Sequence, residues 1–423
     1  MANQFAINLA FYMLMPYLAA HLAGGLGLAA WAVGLVLGVR NLSQQGMFLI
    51  GGSLADRYGY KAPIMAGCLL RTAGFALLGW ADQLPALIVA SAATGFAGAL
   101  FNPAVRAYLA AEAGERRVAA FAAFHVYYQA GMVLGPPVGL LLLAADFRLV
   151  CTVAAAVFAA LTVLQWRALP ARGGARDTAG ADGHWAGADG RGTEADGRGA
   201  RRWGVPASWR TVLANRPFVL FSLAMIGSYV LTFQVYLALP LAASDALGQD
   251  AGRATGALFV VSAVVTVAGQ LRLTGWATRR WSPQGALVRG LTVLGVAFLP
   301  PALVFAGEGP GARPWVVGAL LAAVVALAVG SAVVYPFEMD TVVALCGDRL
   351  VATHYGFYQT VSGLGITLGN LATGALWDLA GRTGAHWLPW AALTVTGLGC
   401  AAAVGALARG GRLARPAVPP LPA

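Results

Sequence analysis

Ionisable and polar residues inside apolar runs are where this chain could do chemistry, because each such group costs at least about 2.5–3.5 kcal/mol in a bilayer. Arg40 is followed by Asn41, Gln44 and Gln45, four polar groups within two helical turns. That pattern fits a helix lining a wet cavity, or a buried arginine satisfied by carbonyls. "YPFEMD" carries Glu338 and Asp340 near the end of another apolar run. A carboxylate held in low dielectric can exchange a proton near neutral pH, so both are proton-coupling candidates, Glu338 first, with a salt bridge at the membrane rim as the alternative. His125 could titrate in the same way or be a hydrogen-bonded packing residue. Aromatic and amide residues cluster at Tyr127 and Tyr128, at Tyr229, Phe233 and Gln234, and at Tyr358 and Gln359. Broad apolar surfaces with a few polar anchors suit varied amphiphilic ligands, although interfacial aromatic belts would use the same residues.

The elements that carry these groups follow from composition. Of 423 residues, 59% are hydrophobic and only 11% charged, against roughly 25% charged in a soluble domain. A span needs about 20 mostly apolar residues. Read that way, the chain holds about twelve, at 4–22, 31–53, 62–80, 85–108, 118–144, 149–168, 216–241, 252–275, 284–306, 314–340, 353–378 and 387–408. The expected fold is an all-α polytopic membrane protein of two pseudo-symmetric six-helix halves, 1–168 and 216–408. Between them, 169–215 is glycine-rich, charge-mixed and repeats Ala-Asp-Gly, which reads as a flexible linker. Residues 409–423 form a tail.

An internal repeat supports the halving. "GERRVAAFAAF" at 114–124 matches "GDRLVATHYGF" at 347–357 through Gly114/Gly347, Arg116/Arg349, Val118/Val351 and Phe124/Phe357, and Pro103 and Pro336 share the same offset of 233. Basic residues fall on alternate connections: Arg57 and Lys61, Arg116 and Arg117, Arg279 and Arg280, then Arg349. By the positive-inside rule both termini are cytoplasmic. The first apolar stretch has no basic residue before Arg40, so it matches a signal peptide poorly and reads as a first membrane helix, with a start upstream of Met1 left open.

The net charge of +11 is spread over connections and one central segment, not gathered on a face, so no nucleic-acid partner is expected. Four cysteines lie far apart in apolar segments, with neither disulfide nor metal spacing. No phosphate-binding G-x-x-x-x-G-K-[ST] and no convergent nucleophile, base and metal set appear, so neither an enzyme nor a cofactor is expected.

"GGSLADRYGYK" at 51–61 joins the second and third spans. Gly52 permits close helix approach, Gly59 permits a left-handed backbone, and Asp56 can face a helix N-terminus or an arginine such as Arg106. The pattern G-x-L-A-D-R-x-G-x-K, with Arg57 and Lys61, resembles the signature loop of the major facilitator superfamily. The resemblance implies that Asp56 latches the two halves during alternating access. A degraded copy, "GWATRRWSPQG", has Arg279 in place of the acid, so one latch is expected. In the fifth span Gly131, Gly135, Pro136 and Gly139 place small residues every four positions beside a bend. That resembles the antiporter motif of the superfamily's drug:proton exporters, and an ordinary packing face would look the same.

"VGLVLGVRNLSQQG", "LLRTAGFALLG" and "DFRLVC" narrow the resemblance to MdtH-type multidrug-resistance proteins of bacteria. Ser91 stands near the place where such exporters often carry a membrane arginine. The resemblance implies a monomeric, proton-coupled exporter of small amphiphilic compounds in a bacterial cell membrane, with a symporter or a non-transporting receptor of the same fold as alternatives.

Overall fold

The computed structural model describes residues 2–169, 205–247, 251–306 and 313–413. Long apolar stretches become helices because a chain in lipid must satisfy its backbone groups within each segment. The first half supplies α1 (Ala2–Ala20), α2 (Ala30–Tyr58), α3 (Lys61–Trp80), α4 (Leu84–Ala113), α5 (Arg117–Leu143) and α6 (Phe147–Ala168). The second supplies α7 (Val205–Ala214), α8 (Arg216–Ala224), α9 (Ile226–Phe233), α10 (Ala238–Leu247), α11 (Ala251–Arg280), α12 (Pro283–Val296), α13 (Leu299–Ala306), α14 (Arg313–Cys346), α15 (Val351–Thr383) and α16 (Leu388–Arg409). No strand occurs among the described residues.

Eight apolar stretches among those residues are long enough to cross a membrane, and one of them, Leu84–Leu143, contains both α4 and α5. Two spans expected to be continuous are broken. The seventh becomes α8 and α9, then a 3-10 turn at Gln234–Tyr236 and α10. The ninth divides into α12 and α13, where Pro300 and Pro301 fall in the first turn of α13. A proline ring suits a first turn and obstructs a helix interior. Of the segment expected to be a linker, 170–204 lies outside the described residues, as do 414–423 of the tail. Its end differs from expectation: Val205–Ala214 is helical, and Trp209 Nε1 donates to Ser53 Oγ at 2.9 Å.

The described residues form two compact units. Unit 1 comprises 1–114, 131–216 and 346–360, and unit 2 comprises 115–130, 217–345 and 361–423. Helices α5 and α15 are therefore each divided between the units. The core of unit 1 includes Leu14, Phe75 and Phe158, with Phe75 edge-on to Phe158 at 5.4 Å. In unit 2, Trp390 is fully buried among Phe298, Phe305 and Trp377. Exposed positions are also apolar: Leu141 is 77% exposed, Leu303 73% and Leu368 67%. Water would not tolerate such a surface, and hydrocarbon would.

The 233-residue repeat has a backbone counterpart. Gly114 and Gly347 both adopt positive φ, 51° and 59°, in the turns before α5 and α15. Pro103 and Pro336 both lie inside the helix that precedes that turn.

Candidate functional site

The end of α2 makes a clasp within unit 1. Gly59, at φ 84°, terminates the helix, and Asp56 sits just before it. Its carboxylate accepts the Ala352 N–H at 3.1 Å, the Thr353 N–H at 2.7 Å and the Thr353 hydroxyl at 2.6 Å. These residues open α15. The first N–H groups of a helix have no partner inside it and carry the positive end of the macrodipole, so an anion docks there favourably.

Two glycines bring the helices close enough. A Cβ on Gly52 would strike the Ala352 carbonyl, and one on Gly356 would strike the Phe48 carbonyl. Asp56 lies beyond 31–53, the stretch of α2 expected to span the membrane. Burial pushes its carboxyl up to about 6, against the downward pull of the hydrogen bonds from Thr353 and Ala352.

The other residues of the loop do different work. Arg57 is exposed and lies 5.4 Å from the Tyr58 ring centroid. Lys61 donates to the carbonyls of Trp166 at 2.8 Å and Leu169 at 2.7 Å, tying the start of α3 to the end of α6. Arg106 is buried and donates to the Asn102 carbonyl at 3.2 Å. Asp56 spends its oxygens on α15. The clasp is therefore carboxylate to helix terminus, and the Asp56–Arg106 pair allowed for in the sequence is not formed.

Gly131, Gly135 and Gly139 share one face of α5 and meet α1. A Cβ at each would run into Phe5 and Asn8, Tyr12 and Met13, or Met13 and Tyr17 respectively. The Pro136 carbonyl accepts the Tyr17 hydroxyl at 2.7 Å. Within unit 1 this glycine-proline face acts as a close helix contact.

Unit 2 holds a polar centre around His125. Its Nδ1 lies 2.8 Å from Gln270 Oε1. Gln270 Nε2 donates to the Ala332 carbonyl at 2.7 Å and to Thr274 Oγ1 at 3.1 Å. With its NH2 so engaged, Gln270 presents its oxygen to the ring, which places the histidine proton on Nδ1. Tyr335 stacks on His125 with centroids 4.5 Å apart, and Tyr128 lies at 6.5 Å. Gln270 was not singled out in the sequence; its signal is one amide in the apolar run "VVTVAGQL". On α14, Glu338 is 3% exposed. Asp340 lies 3.8 Å from Arg117 in an ion pair.

Arg40 forms a second polar centre, in unit 1. Its Nη2 donates to Asn41 Oδ1 at 2.7 Å, its Nη1 contacts Met15 Sδ at 3.3 Å, and its guanidinium lies 5.3 Å from the Phe11 ring centroid. Asn41 is exposed and Gln44 half-buried. Among the aromatic candidates, Tyr127 and Phe233 are exposed, whereas Tyr229 and Gln359 are half-buried. Two candidates do not line open space. Gln234 is fully buried and donates to the Val230 carbonyl and Asn370 Oδ1, and Tyr358 is fully buried as well. Helix packing consumes both, which a polar-plus-aromatic pattern cannot distinguish from cavity lining.

A family model described as Major Facilitator Superfamily matches residues 1–370. The uncharacterized MFS-type transporter Rv0849 of Mycobacterium tuberculosis strain H37Rv is 52% identical over 94% of this chain and 90% of its own length. The multidrug resistance protein MdtH of Salmonella arizonae is 28% identical over 92% of this chain and 88% of its own. Among solved structures, that of the human organic anion transporter MFSD10 covers 95% of this chain and 97% of its own, with a TM-score of 0.60 and 15% identity. That likeness is one of fold.

Proposed function

Because the chain belongs to the Major Facilitator Superfamily, and so is a membrane transporter, we propose that it exports small amphiphilic compounds in exchange for protons by alternating access. The observation that carries this is the Asp56 clasp: three hydrogen bonds from the start of α15 to one carboxylate, over a contact that only glycine permits. Such a contact forms and releases as a unit, which a conformational cycle requires. Export as the direction draws on likeness to the MdtH proteins over most of the chain. In this reading residues 1–168 and 216–408 act as the two functional halves. Both termini face the cytoplasm, as the arginine distribution argues, and the protein works as a monomer in a bacterial cell membrane.

Coupling belongs to a group that can take a proton and return it. Glu338, which is buried, and His125, held in one tautomer by Gln270, are the two we assign. Asp340 is assigned a structural pair with Arg117.

Two measurements test this. In an efflux-deficient bacterial host the wild type raises the tolerated drug concentration several-fold, and Glu338→Gln removes that gain while still reaching the membrane. In proteoliposomes an outward proton gradient drives substrate in. Uptake driven only by an inward gradient would make the protein a symporter, and uptake no faster than in empty liposomes would make it a non-transporting member of the fold.

A further inference from the structure

Arg40 carries a full charge inside a membrane helix, and its contacts are all neutral: an amide oxygen, a thioether and the Phe11 ring. A guanidinium has five N–H donors in a planar fork and does not lose its proton. A thioether is a weak acceptor, so these neighbours leave most of that donor capacity and all of the charge unanswered. A second guanidinium, Arg71, lies 4.6 Å from the centroid of the same Phe11 ring and 5.3 Å from that of Phe158. It turns toward α2 as well, because a Cβ on Gly98 would touch both Arg71 Nη2 at 3.2 Å and Gln44 Cδ at 3.1 Å.

The described acids of unit 1 are Asp56, Asp82, Glu112, Asp146 and Asp348. All of them sit near helix ends or in turns. Asp56 is committed to α15, Asp82 lies 3.8 Å from Arg148, and Asp146 caps α6. Two like charges therefore share one aromatic ring, and none of the partners of Arg40 is a carboxylate. Such an arrangement is costly by itself and becomes favourable when an anion enters between the donors.

We infer that the Arg40–Phe11–Arg71 cluster binds an anionic amphiphile, with Arg40 taking the carboxylate or sulfonate and Phe11 the adjoining apolar body. Asn41 orients the Arg40 fork, and the exposure of Asn41 keeps that side of α2 accessible. A cationic compound would meet two positive charges and be rejected. This names a substrate class for the exporter proposed above, and to that extent rests on that reading.

Purified protein in lipid nanodiscs is titrated with fluorescein, an anion, and with rhodamine 123, a cation on the same xanthene skeleton, and fluorescence anisotropy is followed. The wild type is expected to bind fluorescein at least tenfold more tightly than rhodamine 123. Arg40→Gln should weaken fluorescein binding, strengthen rhodamine 123 binding and so lose that preference, and Arg40→Lys should retain part of it. The inference is overturned if the wild type binds rhodamine 123 as well as fluorescein, if it binds neither, or if folded Arg40→Gln holds fluorescein as tightly as the wild type. Should Arg40→Gln fail to fold, the wild-type preference and Arg40→Lys still decide. Fluorescein binding without proton-driven uptake would sink export and leave the anion site standing. Proton-driven uptake of rhodamine 123 with no fluorescein preference would do the reverse.

Discussion

Asp56 shows how one side chain couples charge to conformation. Docked on α15 its carboxyl is raised by burial to about 6 from the ordinary 3.8; released into water it returns to the ordinary value. The docked form therefore keeps a proton that the released form has already lost. Docking is favoured by acid and weakens as pH climbs from about 4 to 6, by up to about tenfold per unit. Spin labels near the end of α2 and the start of α15 should report a longer distance in a larger fraction of molecules at pH 7 than at pH 5. In Asp56→Asn that dependence should vanish; a wild-type distance distribution unchanged across this range would refute it. The acid and its glycines were legible in "GGSLADRYGYK", because turn chemistry is local. Its partner was not, because Thr353 lies 297 residues away and nothing in the sequence of a helix start announces which anion will cap it. Gln270 escaped for the same reason: a lone amide in an apolar helix gains meaning only once His125 is placed against it.

At the level of helices, small residues decide which pairs pack backbone to backbone. Gly135 has the side chain and backbone of Tyr12 within 3 Å of where a Cβ would stand, whereas nothing approaches Gly275 within 4 Å. Gly135→Val should force α1 away from α5 and cost about 1–3 kcal/mol, read as a lower thermal-unfolding midpoint in detergent. Gly275→Ala should leave the midpoint unchanged or slightly higher, since it gains helix propensity at no steric cost. Equal effects at the two positions would contradict the packing described. The degraded motif copy around Gly275 thus lacks both the acid and the close approach. Hydropathy located nearly every helix, since twenty apolar residues in lipid have few other solutions. It missed the breaks after Ala224 and Val296 and the helix at Val205–Ala214; the second break precedes the proline pair at 300 and 301, and the extra helix carries the bond from Trp209 to Ser53.

For the molecule as a whole, duplication was visible in the 233-residue offset and reappears as matched left-handed glycines at 114 and 347. What hydropathy did not reveal is that α5 and α15 are each divided between compact units, because contact partners are not written in a helix's own composition. If the exported compound is a monoanion exchanged for one proton, both movements carry positive charge inward. Each elementary charge is worth about 2.3 kcal/mol per 100 mV, so transport should accelerate when a potassium diffusion potential makes the receiving side of the liposome positive. A rate indifferent to that potential would mean a compensated, electroneutral cycle.

Lys61 is the only lysine of the chain, and both of its described partners are carbonyls at the far end of α6. Within these 423 residues acylating chemistry meets a single side-chain amine, and that amine is a tether. Neutralising it would cut two charge-assisted bonds at once and loosen the seam between α3 and α6 from the membrane's edge, so any reagent or enzyme that acetylates lysine has one address here and an architectural effect when it arrives.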